Sequence, residues 1–120
     1  MADAARALLA RVEERSERVA ISLVVVLEIV FTLERTYKLP KSHIREMVGD
    51  LILLPTVQLA DKHLCTEALD LFVDLNISFG DAYNAAYMRA QGINEVYSWD
   101  TDFDRVPALR RTQPATLLNS

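Results

Sequence analysis

Val19-Ala20-Ile21-Ser22-Leu23-Val24-Val25-Val26-Leu27-Glu28-Ile29-Val30-Phe31 is the stretch whose reading decides the fold. Residues 19–22 are short, apolar and rich in β-branched side chains, the pattern of a buried strand in a parallel sheet. Ser22 then supplies an N-cap, and the apolar run continues as a helix from residue 23 to about residue 37. A strand that feeds directly into a helix is the repeating unit of an α/β protein. The run is too short to span a bilayer and contains Glu28, so a transmembrane segment is excluded.

The same alternation extends outward from this stretch. Upstream, Ala5, Leu8, Leu9 and Val12 recur at helical spacing over residues 3–18, and Asp3 suits the start of that helix. Downstream, Leu39-Pro40 interrupts the chain, a helix over residues 42–54 stops at Pro55, and residues 56–59 read as a second strand. Asp61 opens a helix with Leu64, Ala68, Leu71, Phe72 and Leu75 on one face, and Asn76 breaks it. Ser78 caps a helix over residues 79–91, and Gly92 ends it. Residues 95–99 form a third strand, followed by a polar turn over residues 100–105. Irregular chain is expected from Pro107 onward.

The bulk numbers limit the functions. The chain has 120 residues, 51% hydrophobic and 25% charged, which suits one globular domain. A net charge of −4 argues against non-specific DNA coating, which needs a basic excess. It does not argue against a nuclease, whose acidic site takes its positive charge from metal ions. Cys65 is the sole cysteine, so no intrachain disulfide forms; with no signal peptide pattern, the reducing cytoplasm is the expected location.

The carboxylates carry the chemistry. Glu28 is flanked by apolar residues on every side, and a buried carboxylate must be protonated, paired or bound to a metal. The bland alternative is a carboxylate at a helix edge, paired with Arg35. Asp81 lies in the first turn of its helix, where acids are favoured by the helix dipole alone. Asp100, Asp102 and Asp104 follow the third strand, where a solvated turn would also explain them. A calcium loop is excluded, because its required glycine and glutamate positions hold Arg105 and Arg111. Strand ends and the helix starts that follow them share one edge of a parallel sheet, so Glu28, Asp81 and Asp100 are placed to converge there. Converging carboxylates call for a hard cation such as Mg²⁺ or Mn²⁺.

Three segments then resemble the PIN-domain family. Ile21-Ser22-Leu23-Val24-Val25-Val26-Leu27-Glu28 is similar to the strand-to-helix segment that carries the family's glutamate. Phe79-Gly80-Asp81-Ala82-Tyr83-Asn84-Ala85-Ala86 resembles its third acidic motif. Val96-Tyr97-Ser98-Trp99-Asp100-Thr101-Asp102-Phe103-Asp104-Arg105 resembles its closing strand and acidic turn. The resemblance covers roughly residues 3–110. It implies a metal-dependent endoribonuclease, of the VapC-like toxin type, inhibited by a small cognate antitoxin and forming a homodimer. By the same resemblance Glu28, Asp81 and Asp100 are metal ligands and catalytic residues, Asp102 is a fourth ligand candidate, and Asp104 is a supporting turn residue. Ser98 falls where the family has a small hydroxyl residue near the site.

The sequence departs from the family at its front. PIN domains open with a central strand ending in an aspartate, whereas this chain opens on what reads as the following helix. Asp3 does not substitute, because no apolar strand precedes it. Either Met1 is internal to a longer protein, or another segment fills the gap, with Ala115-Thr116-Leu117-Leu118 a candidate for strand addition. The expectation is therefore a PIN-like three-layer α/β/α fold over residues 1–110, with a short central parallel sheet, its N-terminal strand missing and an irregular tail over residues 111–120. The function expected is Mg²⁺- or Mn²⁺-dependent RNA hydrolysis by metal-activated water. A catalytically weak or inactive protein-binding module is the alternative.

Other residues take lesser roles. Arg105, Arg110 and Arg111 are candidates for holding RNA phosphates. Arg35, Lys38, Lys41 and Arg45 read as helix surface. His43 and His63 have no partner at metal-ligand spacing and read as surface residues, and Cys65 as a core thiol. Tyr83, Tyr87 and Tyr97 fit core packing better than stacking on bases.

Overall fold

The computed structural model describes residues 19–114. The helix expected over residues 3–18, Asp3 and the candidate strand at residues 115–118 lie outside them. Within α3 the chain divides into two compact units, one ending at Thr66 and the other beginning at Glu67.

The first unit holds β1 (Val19–Ala20), α1 (Leu23–Arg35), α2 (Lys41–Leu53) and β2 (Val57–Gln58), and α3 (Lys62–Asp74) begins in it. β1 and β2 pair in parallel, Val19 opposite Val57 and Ala20 opposite Gln58. The strand-to-helix reading of the opening stretch is borne out. Ser22 is the N-cap of α1, and its Oγ accepts from the Val25 amide at 3.4 Å. A left-handed Lys38 (φ 53°) follows the helix, and Pro40 caps α2, so the chain reverses where Leu39-Pro40 interrupts the pattern. Val26 and Val30 of α1 are buried, as are Ile44, Val48 and Ile52 of α2 at i, i+4, i+8. Each such side chain contributes about 1.5–3 kcal/mol by leaving water. α1 buries only that stripe, since Val24, Val25 and Phe31 are exposed. Arg35 lies over the Phe31 ring at 4.9 Å from its centroid, which shields part of that surface.

The second unit holds the rest of α3, then α4 (Phe79–Ala90), β3 (Glu95–Tyr97), a 3₁₀ turn (Thr101–Arg105) and β4 (Arg110–Thr112). Ala68, Leu69 and Phe72 of α3 are buried, and Phe72 meets Phe79 edge-to-face with ring centroids 6.1 Å apart. Left-handed Asn76 (φ 53°) separates α3 from α4, and left-handed Gly92 (φ 72°) follows α4 in the conformation that glycine adopts without steric cost.

One expectation is corrected. The chain expected to be irregular from Pro107 forms β4, which runs parallel to β3 with Glu95 opposite Arg110 and Tyr97 opposite Thr112. The connecting residues 98–109 are about as long as a parallel connection requires. Each unit holds one described parallel pair, β1 with β2 in the first and β3 with β4 in the second. Helices alternating with short parallel strands make the α/β class plain. No helix among the described residues is long and apolar enough to cross a membrane.

Candidate metal centre of the second unit

Asp81 is placed by its own helix start. The Ser78 Oγ accepts from the Asp81 amide at 3.2 Å, which fixes the first turn of α4 and leaves the Asp81 carboxylate half-buried. Asp100 caps the 3₁₀ turn, with its Oδ1 accepting from the Asp102 amide at 2.9 Å. Asp102 spans the two elements, because its Oδ2 accepts from the Ser78 amide at 3.1 Å. Asp102 therefore ties the acidic turn to the N-terminus of α4. The backbone before the turn is held as well. The Ser98 amide donates to the Thr112 carbonyl at 3.0 Å, and the Ser98 Oγ accepts from the Asp100 amide at 3.0 Å.

Asp81, Asp100 and Asp102 each bring a carboxylate oxygen to within 4.8 Å of the others. At such spacing each charged pair repels by on the order of 1–4 kcal/mol between the limits of bulk water and a protein surface. The response is visible in the protonation. Burial, then the hydrogen bond and charge of Asp100, push the Asp81 carboxyl up to about 7. Asp100 is held below the usual carboxylate range, first by the hydrogen bond from Asp81 and then by the Asp102 amide. Asp81 thus carries the proton that lets two carboxylates stay adjacent.

The residues present fit a hard divalent cation. Asp81 Oδ2 is buried and no donor among the described residues reaches it; a proton on the carboxyl pair or a cation would satisfy it. The donor set is entirely oxygen, which suits Mg²⁺ or Mn²⁺. A cavity of about 240 Å³ elsewhere in this unit is lined by Ala85, Arg89, Ile93, Val106 and Leu109 and contains none of these acids.

The other expected site residues are placed as follows. Glu28 belongs to the first unit and is exposed on α1, so the burial cost that first singled it out does not arise. It is not a member of the described cluster. Ser98 is half-buried beside Asp100. Arg105 donates to the Asn76 carbonyl at 2.7 Å, closing the acidic turn against the residue that ends α3. Arg110 pairs with Glu95 at 2.6 Å, which holds Glu95 low and Arg110 high.

Arg111 has a role that sequence reasoning missed. Its Nε and Nη2 reach the two oxygens of Asp104 at 2.9 and 3.2 Å, and its Nη1 reaches the Ser98 carbonyl at 3.1 Å. One planar guanidinium thereby locks both flanks of the acidic turn. No local signal reveals this pairing, because it depends on β4 lying beside β3. Tyr87 and Tyr97 were expected in the core and are exposed, as is Trp99.

A comparison with known protein families matches residues 1–109 to the PIN domain. No curated protein matches the chain. The PIN fold is of the nuclease type, and its acidic, metal-accepting character agrees with the cluster of Asp81, Asp100 and Asp102. The match spans most of the chain, and the chain therefore belongs to the PIN domain family.

Proposed function

We propose that this chain is a divalent-metal-dependent endoribonuclease whose metal is held by Asp81, Asp100 and Asp102. One observation carries the reading: three carboxylates gathered within 4.8 Å, one of them with a buried oxygen that no donor among the described residues satisfies. The family adds the substrate class, since PIN domains bind RNA. A bound Mg²⁺ or Mn²⁺ supplies Lewis acidity and lowers the pKa of bound water towards neutrality.

The chain's own residues do the rest. Asp81 would release its proton to the medium when the cation binds and, with Asp100 and Asp102, would hold it. Asp102 keeps one oxygen on the Ser78 amide and orients the other. Ser98 and Arg111 keep Asp100 from swinging away. Glu28 is a further candidate acid, supported by its motif. In the cytoplasm such an enzyme acts as the toxin of a toxin–antitoxin pair, as a homodimer restrained by a cognate antitoxin.

The test is cleavage of a single-stranded RNA by the purified chain with Mn²⁺, beside Asp100→Asn and Glu28→Gln. Loss of cleavage in Asp100→Asn with the fold retained by circular dichroism is expected. Undiminished cleavage by Asp100→Asn would overturn the metal assignment. Absence of any cleavage by the unmodified chain would favour a binding module in place of an enzyme.

A further inference from the structure

The two-stranded sheet of the second unit has one face that the core does not use. Along β3 and the residues after it, exposure alternates: Val96 and Ser98 are half-buried, whereas Tyr97 and Trp99 are 53% and 64% exposed. Side chains two apart on a strand share a face, so Glu95 and Tyr97 lie on one side of β3, and Trp99 sits in the bend that follows the strand. The neighbouring strand supplies the same face with Arg110, which meets Glu95 across the register, while Thr112 Oγ1 donates to Glu95 at 3.2 Å. Arg111 points to the opposite face, towards Asp104. Tyr97 and Arg110 therefore stand on one face of the strand pair, Trp99 is exposed in the bend just after it, and the chain passes from Trp99 directly into Asp100 of the acidic cluster.

We infer that this face is a stacking platform for unpaired nucleobases, with Trp99 as its principal ring, feeding single-stranded RNA to the carboxylate cluster. The identity of the ligand rests on the ribonuclease reading above. Two exposed aromatic rings offer π-surface to any base, and the second of them adjoins the acidic cluster in sequence. Single strands are the form whose bases are free to be splayed onto aromatic side chains. The platform is also rigid. Its backbone is fixed by β4, by the Ser98–Asp100 turn bond and by Arg111 on the Ser98 carbonyl, so no ordering cost falls on the rings' support.

Trp99 is the sole tryptophan in the chain, so intrinsic fluorescence reports on this position alone. The whole chain is titrated with a short oligouridylate in EDTA at low salt, where metal-assisted cleavage is absent. Quenching of Trp99 that saturates with the oligomer is expected, with none from an abasic ribose-phosphate oligomer of equal length. Trp99→Ala should weaken binding of a labelled oligouridylate roughly tenfold, as loss of one base–aromatic stack implies. Trp99→Phe should retain most of it, which separates stacking from a folding defect. Equal binding by wild type and Trp99→Ala, no quenching, or equal quenching by the abasic oligomer overturns the proposal. So does a shift of Trp99 emission with protein concentration alone, which marks a surface for a second copy. Quenching without cleavage in Mn²⁺ leaves the platform standing and removes the nuclease reading; cleavage with an unchanged KM in Trp99→Ala does the reverse.

Discussion

Asp81 is the residue on which the acidic cluster turns. Its carboxyl is pushed up to about 7 in the folded chain, first by burial and then by Asp100, against an unfolded value near 3.8. The folded state therefore takes the proton more readily than the unfolded state. Without metal, the stabilising share of this group is complete below about pH 4 and is lost as pH rises to about 7. Asp100 works in the opposite direction, and its share is lost only on acidification below the usual carboxylate range. We expect the thermal midpoint of the metal-free protein to fall between pH 5 and pH 8, and Mn²⁺ to raise it more at pH 8 than at pH 5. Asp81→Asn should flatten both the pH dependence and the Mn²⁺ response. Scanning calorimetry across pH, with and without Mn²⁺, reads all three; an Mn²⁺ shift of equal size in Asp81→Asn would show the ion bound elsewhere. Asp81 and Asp100 were expected to meet because an acid at a helix start and one after a strand fall on one sheet edge; Asp102 was a fourth candidate by family resemblance alone, and Glu28, expected with them, is not in the described cluster. The trapped proton was not, since it depends on how deeply one oxygen is buried.

Helix starts are where sequence and structure agree most closely. Ser22 and Ser78 were readable as caps because capping is chemistry within three residues, and both serines accept from the third residue on. Gly92 and Asn76 were readable as stops for an equally local reason. β4 was not readable. Arg110-Arg111-Thr112 has none of the apolar character of a buried strand, and it becomes one through partners distant in sequence: Glu95 for Arg110, Asp104 and Ser98 for Arg111. The same distance concealed the exposed aromatic surface, because Tyr97 fits core packing until the uncovered face is known. Ser78 joins both kinds of information, since its hydroxyl caps α4 while its amide holds Asp102. Ser78→Ala removes only the hydroxyl. The expected cost is about 1 kcal/mol of stability in urea unfolding, the usual loss for a serine cap. The amide that holds Asp102 is retained, so Mn²⁺ affinity should change far less than it does in Asp81→Asn. A Ser78→Ala protein of unchanged stability would mean that the cap contributes nothing to α4.

At the scale of the whole molecule, the α/β class and the family were legible from three motifs in order, whereas the partner of each described strand was not. Pairing is a long-range outcome, and two-residue strands such as Val19–Ala20 carry too little pattern to announce a partner. Net charge, by contrast, is fixed by the sequence alone, and it makes a prediction of its own. At −4 the chain repels a polyanion at long range, and the acidic cluster adds to that repulsion at the point of chemistry. Basic nucleic-acid-binding proteins lose affinity steeply with salt because each phosphate contact releases a counterion. Here two of the candidate phosphate contacts, Arg105 and Arg110, already donate to the protein's own Asn76 carbonyl and Glu95. Few counterions are then released on binding, while added salt screens the repulsion over a Debye length of about 10 Å at 0.1 M. Stacking on Trp99 is insensitive to salt. RNA cleavage at saturating Mn²⁺ should accordingly show kcat/KM that is flat or rising as monovalent salt increases from low ionic strength. A steep inverse dependence, like that of a protein neutralising several phosphates, would show that arginines outside this account hold the RNA backbone.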